Sequence, residues 1–404
     1  MQREYFIVRA PLLNTQERVL GYELSWRQPS GVTGRLADMD ARCLASFIAE
    51  QLDEAESGTR LGDYVLFIEV SPSMLSHEAF SSLPSKDVVL ALRAADLTTP
   101  EAIGAVQDAR AEGYGISVRD ANLAMLDSML LPYLTHIELQ VNASDFAAQV
   151  QQFRALNLSS IHLVARGVTT WQAYDLCTSL GMYSFVGNLH LTPRTENHSR
   201  EMNPAQTLIL QLMDMVRKNA DVKQLEGVLK RDLALSYKLL RYINSAGFGL
   251  GCEVQSIKHA VTMLGYSPLY RWLALLLATA TTTGYSPVLM QTAVIRGRFA
   301  ELLGQTFLPR SEAENLFVAG MFSLLDKLLG VPMEEILGKI QLSEPVMQAL
   351  LSREGIYGPF LALAEACELN SPELESMAAS LCINERQINE AHLAALAWAQ
   401  KLEL

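Results

Sequence analysis

The chain has 404 residues, of which half are hydrophobic and 19% are charged, so two globular domains are expected and a disordered protein is excluded. Its formal net charge of −12 at pH 7 argues against a nucleic-acid binder driven by overall charge. The five cysteines are scattered without a Cys-x-x-Cys pair, which favours reduced thiols over a metal–thiolate site or a disulfide framework.

The first residues do not contain the long apolar stretch of a signal peptide. The most apolar run of the chain, residues 272–280, is shorter than the roughly 20 residues that a membrane span needs. We therefore expect a soluble, cytoplasmic protein without a membrane partner.

Short β-rich runs alternate with helical segments through about residue 195, and several of these runs are continuously apolar, which is typical of strands covered on both faces. Only a polar turn at 14–17 joins the first two strands, so one of them should run antiparallel to the rest. The pattern predicts a TIM-like (β/α)₈ barrel with one antiparallel strand. The predicted strands are 5–8, 19–24, 64–70, 87–93, 115–119, 136–141, 161–166 and 184–189. The predicted helices are 37–55, 100–112, 121–130, 145–156 and 170–180.

In such barrels chemistry lies at the carboxyl ends of the strands. One hypothesis is that Arg27, Arg119 and Arg166 converge there and hold phosphate groups without a metal ion. The alternative is that Arg119 and Arg166 pair with neighbouring carboxylates as structural residues. The carboxylates considered are Asp120 or Glu138 for Arg119, and Glu69 for Arg166. The polar residues at the predicted strand ends are Glu23, Glu69, Arg93, Arg119, Asp120, Glu138, Gln140 and Arg166.

Residues 21–27, Gly-Tyr-Glu-Leu-Ser-Trp-Arg, resemble the Gly-x-Glu-Ala-Leu-x-Arg signature of EAL domains. These are barrel phosphodiesterases that linearise the bacterial second messenger cyclic di-GMP with Mg²⁺ or Mn²⁺. In this resemblance Glu23 matches the family's metal-binding Glu, and Arg27 matches its phosphate-contacting Arg. Glu138 stands where the family has the lysine that helps to activate water. The family's other ligand positions carry Glu69, Ala91, Arg119, Arg166 and Val186.

A hard divalent cation needs several oxygen ligands, and each close guanidinium group opposes it by about 1–4 kcal/mol at surface-like dielectric. The resemblance therefore implies a barrel that kept its fold and lost its reaction. We expect no catalytic residue, no metal and no cofactor. The candidate ligand-binding residues of this vestigial site are Glu23, Arg27, Glu69, Arg119, Asp120 and Arg166.

A polar stretch at 197–204 predicts a linker between a barrel domain, 1–196, and a second domain, 205–404. Beyond the linker, apolar residues recur at helical spacing and no convincing strand is found, which predicts an all-α bundle. The predicted helices are 208–216, 222–229, 234–243, 257–264, 269–280, 289–303, 312–329, 333–340, 344–350, 359–369, 372–381 and 385–402.

Residues 231–265 contain Arg-Asp-x-Ala-Leu, Leu-Leu-Arg-x-x-Asn-Ser and Ser-Ile-x-x-Ala-Val-x-x-Leu-Gly in order. These motifs resemble the HDOD domain, a helical bundle like that of HD phosphohydrolases but without the metal-binding histidines. Leu325 stands where a metal His would lie, and Asp326 alone does not make a metal site. Basic residues in 218–241 alternate with acidic ones, which favours a solvated helix face, so no nucleic-acid partner is expected.

An EAL-like barrel followed by an HDOD domain implies a bacterial cytoplasmic signalling protein in motility, biofilm or virulence control. We favour a non-catalytic scaffold or regulator, not an enzyme, which contacts a protein partner through a surface around Arg241, Asn244 and Phe248. One alternative is a metal-independent receptor for cyclic di-GMP or a related nucleotide. The other is a weak phosphodiesterase with unusual metal ligands.

Overall fold

The computed structural model divides into two compact units, residues 1–194 and 195–404. The predicted linker at 197–204 lies outside the described residues except for Pro204, which begins a helix, so the predicted boundaries stay a prediction. The described residues are 5–27, 38–53, 64–77, 80, 82–123, 126–192, 204–229, 237, 244, 254, 256, 258–259, 261, 265–279, 287–339 and 342–402.

The first unit is a closed barrel of eight strands that follow one another in chain order. Strands β2 to β8 run parallel to one another, whereas β1 runs antiparallel to both β2 and β8 and closes the barrel. The predicted barrel with one antiparallel strand is confirmed. The strands are β1 (Ile7–Asn14), β2 (Val19–Trp26), β3 (Val65–Glu69), β4 (Val88–Arg93), β5 (Gly115–Arg119), β6 (His136–Gln140), β7 (His162–Arg166) and β8 (Ser184–Val186).

Apolar side chains from five strands hold the barrel together. Leu12, Phe67, Val89, Val164 and Val186 are buried against one another and make a single cluster, as expected for a filled barrel. Strands β2 and β3 approach closely at one position. A Cβ atom on the glycine at position 21 would lie 1.9 Å from the carbonyl oxygen of the facing β3 residue, so only glycine fits there.

Four α-helices are described in the barrel unit: α1 (Asp38–Asp53), α2 (Pro100–Ala111), α3 (Phe146–Ala155) and α4 (Trp171–Ser179). Thr99 caps α2 by accepting a hydrogen bond from the Ala102 amide at 3.2 Å, and proline occupies the first helical position. The predicted helix at 121–130 is wrong, because its described residues form turns. The chain leaves β5 through Asp120, whose φ of 53° turns it away from a helical path.

The secondary-structure elements described in the second unit are all helices, which confirms the predicted all-α class. The predicted helices 234–243 and 257–264 fall largely outside the described part of the chain. The described helices are α5 (Pro204–Arg217), α6 (Val222–Leu229), α7 (Tyr266–Thr279), α8 (Pro287–Gly304), α9 (Arg310–Phe322), α10 (Leu325–Leu329), α11 (Met333–Lys339), α12 (Glu344–Ser352), α13 (Gly358–Leu369), α14 (Leu374–Ser380) and α15 (Glu385–Gln400).

The single helix predicted at 312–329 is two helices, α9 and α10, which are separated at Ser323. The Ser323 hydroxyl bonds the Gly320 carbonyl at 2.6 Å and accepts a 2.7 Å hydrogen bond from buried Arg296. Arg296 also forms a bidentate pair with Glu368, at 3.0 Å for both bonds. A serine hydroxyl bonded back to the main chain competes with regular helix geometry, which accounts for the break.

None of the described helices is both long and apolar enough to cross a membrane.

Candidate functional site

Six charged side chains meet at the carboxyl end of the barrel. Parallel strands β2 to β7 bring their carboxyl ends to one edge, and their register sets Arg93 beside Arg119 and Arg119 beside Glu138. This is the end at which barrel enzymes bind their ligands. We call this group the mouth network, and its members are Glu23, Glu69, Arg93, Arg119, Glu138 and Arg166.

Arg119 lies at the centre of the mouth network, and only 5% of its side chain is exposed. Its Nη1 lies 3.1 Å from Glu23 Oε1 and 3.0 Å from Glu69 Oε2, and its Nε lies 3.0 Å from Glu138 Oε2. The Nε contact is close but misaligned for a hydrogen bond, so its attraction is mainly Coulombic. One guanidinium group therefore touches three carboxylates.

Arg166, the last residue of β7, contacts two of the same three carboxylates. Its Nη1 donates to Glu23 Oε2 at 2.5 Å and to Glu138 Oε2 at 2.7 Å, while its Nη2 donates to Glu23 Oε1 at 3.2 Å. Glu138 is fully buried, and the Ser117 hydroxyl donates to its other oxygen at 2.6 Å. The pair with Glu23 is a bidentate guanidinium–carboxylate contact, which fixes geometry as well as charge.

The two arginines determine the ionisation of Glu23. Burial alone would raise the pKa of Glu23, but Arg119 and Arg166 outweigh it and lower this pKa to about 2. Burial would likewise lower the pKa of Arg119, yet Glu138 and Glu23 raise it. Glu23 and Arg119 are therefore both charged at neutral pH. The mouth network as a whole contains three glutamates and three arginines.

The EAL resemblance implies a Mg²⁺ or Mn²⁺ ion at this end of the barrel, and the observed arrangement does not fit one. An ion bound by Glu23, Glu69 and Glu138 would lie next to guanidinium groups that already contact the oxygens of these carboxylates, and their positive charges would repel it. Within the described residues, no group of three or more His, Cys, Asp or Glu side chains is arranged to hold a metal ion.

Most of the residues predicted for this site meet in it. The mouth network includes four of them: Glu23, Glu69, Arg119 and Arg166. Asp120 lies at the rim of the network, where its carboxylate accepts a 3.5 Å hydrogen bond from the Gln140 side-chain amide. Arg27 is buried directly after β2, and its amide donates to the Phe6 carbonyl at 2.7 Å.

Two further members of the network, Arg93 and Glu138, were not among the six candidates. Both lie at predicted strand ends, and that position was the signal that could have selected them.

The pairing of the arginines is partly as predicted. Arg119 does contact Glu138, but the predicted contact between Arg166 and Glu69 is replaced by contacts with Glu23 and Glu138. Glu69 is contacted by Arg93 and not by Arg166, through an Nε–Oε1 bond of 2.8 Å.

The predicted protein-docking surface is only partly described. Arg241 and Phe248 lie outside the described residues. Asn244 is exposed, but its side-chain amide donates to the Val254 carbonyl at 2.8 Å and accepts from the Val254 amide at 2.7 Å. These two bonds join residues ten apart in the chain, which is a structural role, so the docking surface stays a prediction.

Residues 202–334 match the family described as "HDOD domain". The predicted organisation, a barrel followed by an HDOD domain, is confirmed by this match together with the closed eight-stranded barrel.

Two curated proteins are similar over most of the chain. "Cyclic di-GMP phosphodiesterase CdgJ" of Vibrio cholerae serotype O1 is 26% identical over 368 residues, which cover 90% of this chain and 84% of that protein. "Uncharacterized protein YuxH" of Bacillus subtilis is 25% identical over 412 residues, covering 98% of each chain. The chain is thus related in sequence to a protein of cyclic di-GMP signalling.

Solved structures resemble part of the chain more distantly. The phosphodiesterase PaMucR in complex with cyclic di-GMP has a TM-score of 0.36 and 18% identity, covering 46% of this chain and 91% of that one. Klebsiella pneumoniae BlrP1 with manganese and cyclic di-GMP has a TM-score of 0.38 and 19% identity, covering 46% of this chain and 55% of that one.

The prediction that the chain is not an enzyme is wrong, because a relative that aligns with 90% of it is named a phosphodiesterase. Single departures from the EAL pattern do not by themselves show that a reaction is lost. Two of those departures, Glu69 and Glu138, add carboxylates to the barrel mouth, where they lie beside Glu23 around the same arginine.

Proposed function

We propose that this chain acts in cyclic di-GMP signalling and that the mouth of its barrel binds cyclic di-GMP through arginine side chains. The observation that carries the proposal is the concentration of guanidinium groups at the carboxyl end of the strands, where barrels bind their ligands. Arginine is the side chain best suited to hold phosphate, because its planar donors can form two parallel hydrogen bonds.

Hydrogen-bond donors remain for a ligand in the mouth network. Among the described residues, Arg93 bonds only Glu69, through Nε, which leaves both of its Nη groups, and the side chain is 33% exposed. Arg119 Nη2 is buried and has no hydrogen-bond partner in the described part of the chain. A buried N–H without an acceptor is costly, so an oxygen-rich ligand at this place would be stabilised.

Isothermal titration with cyclic di-GMP, with and without Mg²⁺, tests the proposal. We expect binding without the metal and an affinity that falls as salt is added, since guanidinium–phosphate attraction is screened. Arg93→Ala should raise Kd about tenfold, because a charge-assisted hydrogen bond contributes about 1.5–3 kcal/mol. Arg27→Ala should weaken binding in the same direction.

Arg310→Ala is the matched control, because Arg310 is 94% exposed and lies in the helical unit. An unchanged Kd in both Arg93→Ala and Arg27→Ala would contradict the proposal, as would binding that requires Mg²⁺ or Mn²⁺.

A second candidate function, hydrolysis of the bound nucleotide, is favoured by the name of the Vibrio relative. The same samples can be assayed for linear pGpG with and without metal. Product that disappears in Glu23→Gln would assign turnover to the mouth network, since Glu23 contacts both of its central arginines.

A further inference from the structure

A cavity of about 260 Å³ lies inside the helical unit, and no comparison assigns it a role. It is partly open to solvent and is bordered by the end of α5, the start of α7, the face of α9 and the segment that leads into α12. A water molecule occupies about 30 Å³ in the liquid, so this volume admits a molecule of roughly ten non-hydrogen atoms.

Apolar side chains form one side of the cavity. Val216, Val318, Leu342 and Val346 line it and are buried, each with less than a tenth of its surface exposed. A ligand that fits must therefore present a compact apolar body to these four residues, because burying a polar group against them without a partner is costly.

Tyr270 places a polar group in the same cavity. It lines the space, and most of its side chain is buried. Burial raises the pKa of Tyr270 to about 12, with Asp214 adding to the rise and Arg217 opposing it. The hydroxyl therefore keeps its proton at neutral pH and is a donor for a ligand oxygen.

Arg217, the last residue of α5, brings a positive charge to the edge of the cavity. It is exposed and makes no hydrogen bond or ion pair with the described residues. The nearby acids have partners of their own. Asp214 pairs with Lys218 through Oδ2 at 2.7 Å, while its buried Oδ1 has no hydrogen-bond partner among the described residues. Glu314 accepts a 2.7 Å hydrogen bond from Ser267. The guanidinium group of Arg217 is thus available for an anion.

We propose that this cavity binds a small monocarboxylate, with its carboxylate held by Arg217 and Tyr270 and its apolar body against Val216, Val318 and Val346. Arg217 is the one cation among the described lining residues, so it suits a ligand with one negative charge. The apolar lining residues suit a ligand whose remaining atoms are uncharged. The site belongs to the helical unit, and its existence does not depend on cyclic di-GMP binding at the barrel.

Titration of the full chain with a matched pair of probes tests this proposal. Phenylacetate has ten non-hydrogen atoms and one negative charge, and phenylacetamide has nearly the same shape without the charge. We expect phenylacetate to raise the thermal midpoint and to give a saturable calorimetric signal, and phenylacetamide to bind at least about tenfold more weakly, since it lacks the charge-assisted bond.

Two substitutions remove the proposed contacts and leave the apolar wall intact. Arg217→Gln and Tyr270→Phe should each raise Kd for phenylacetate about tenfold, and Arg310→Gln, at an exposed arginine of the same unit, should leave it unchanged. The midpoint of each variant without ligand shows that it is folded. Absence of phenylacetate binding, equal binding of phenylacetamide, or a Kd unaffected by Arg217→Gln and Tyr270→Phe would overturn the proposal.

Discussion

Glu138 is the side chain on which the stability of the mouth network depends most. It is fully buried and contacts Arg119, Arg166 and Ser117. Glu138→Ala leaves two largely buried guanidinium groups short of a carboxylate, so we expect a loss of about 3–5 kcal/mol in the free energy of unfolding. Urea unfolding measures this loss.

Glu112→Ala is the control for that measurement, because Glu112 is exposed at the end of α2 and should change the free energy of unfolding by less than about 0.5 kcal/mol. A similarly small change in Glu138→Ala would show that water or a neighbouring group replaces the lost carboxylate.

The sequence predicts where these charged residues lie better than it predicts their partners. Strand ends can be recognised from the apolar runs that precede them, so Glu23, Glu69, Arg119 and Arg166 could be placed at one mouth. The pair between Arg166 and Glu23 joins residues 143 apart in the chain. It exists only because the barrel closes, and strand periodicity carries no information on which carboxylate a long arginine side chain reaches.

At the scale of elements, helices α8 and α9 pack closely against each other at two glycines, Gly297 and Gly320. A Cβ atom on Gly320 would lie 2.7 Å from the Gly297 Cα and 2.8 Å from the Arg296 carbonyl oxygen, and both of these are main-chain atoms that cannot rotate away. Gly320→Ala should therefore destabilise the helical unit by about 1–3 kcal/mol, because the helices must separate. Thermal unfolding followed by circular dichroism measures the change.

Gly227→Ala is the matched control, since Gly227 lies within α6 and a Cβ atom there would meet nothing within 4 Å. This change should stabilise the unit by about 0.5–1 kcal/mol, because alanine restricts the unfolded chain. A stabilising Gly320→Ala would show that α8 and α9 pack less closely than the structure indicates.

The elements that the sequence misplaced share a physical cause. The segment 121–130 has helical composition, but a left-handed residue, Asp120, turns the chain at its start. The pattern over 312–329 is continuously helical, yet Ser323 bonds its own turn and a distant arginine, Arg296. In both cases a single residue overrides a correct local propensity, and a windowed pattern does not detect it.

At the scale of the whole molecule, the change from a strand–helix alternation to helices alone separates the two units, and it is visible in the sequence. The structure divides the chain close to that change, and the HDOD match begins at residue 202. The function was harder to predict, because departures from a family's motif show which ligands are missing and do not show what the remaining charges can bind.

Because the helical unit has its own core, it should fold when it is separated from the barrel. Trp272, Phe299 and Phe317 are buried within it, and α5, which carries buried Leu212, packs against α7. We expect a fragment of residues 195–404 to give a helical circular dichroism spectrum and one cooperative thermal transition. A fragment of residues 265–404 lacks α5 and α6, exposes the face of α7 that α5 covers, and should lose that cooperativity. If the longer fragment also unfolds without a cooperative transition, the helical unit depends on the barrel for its stability.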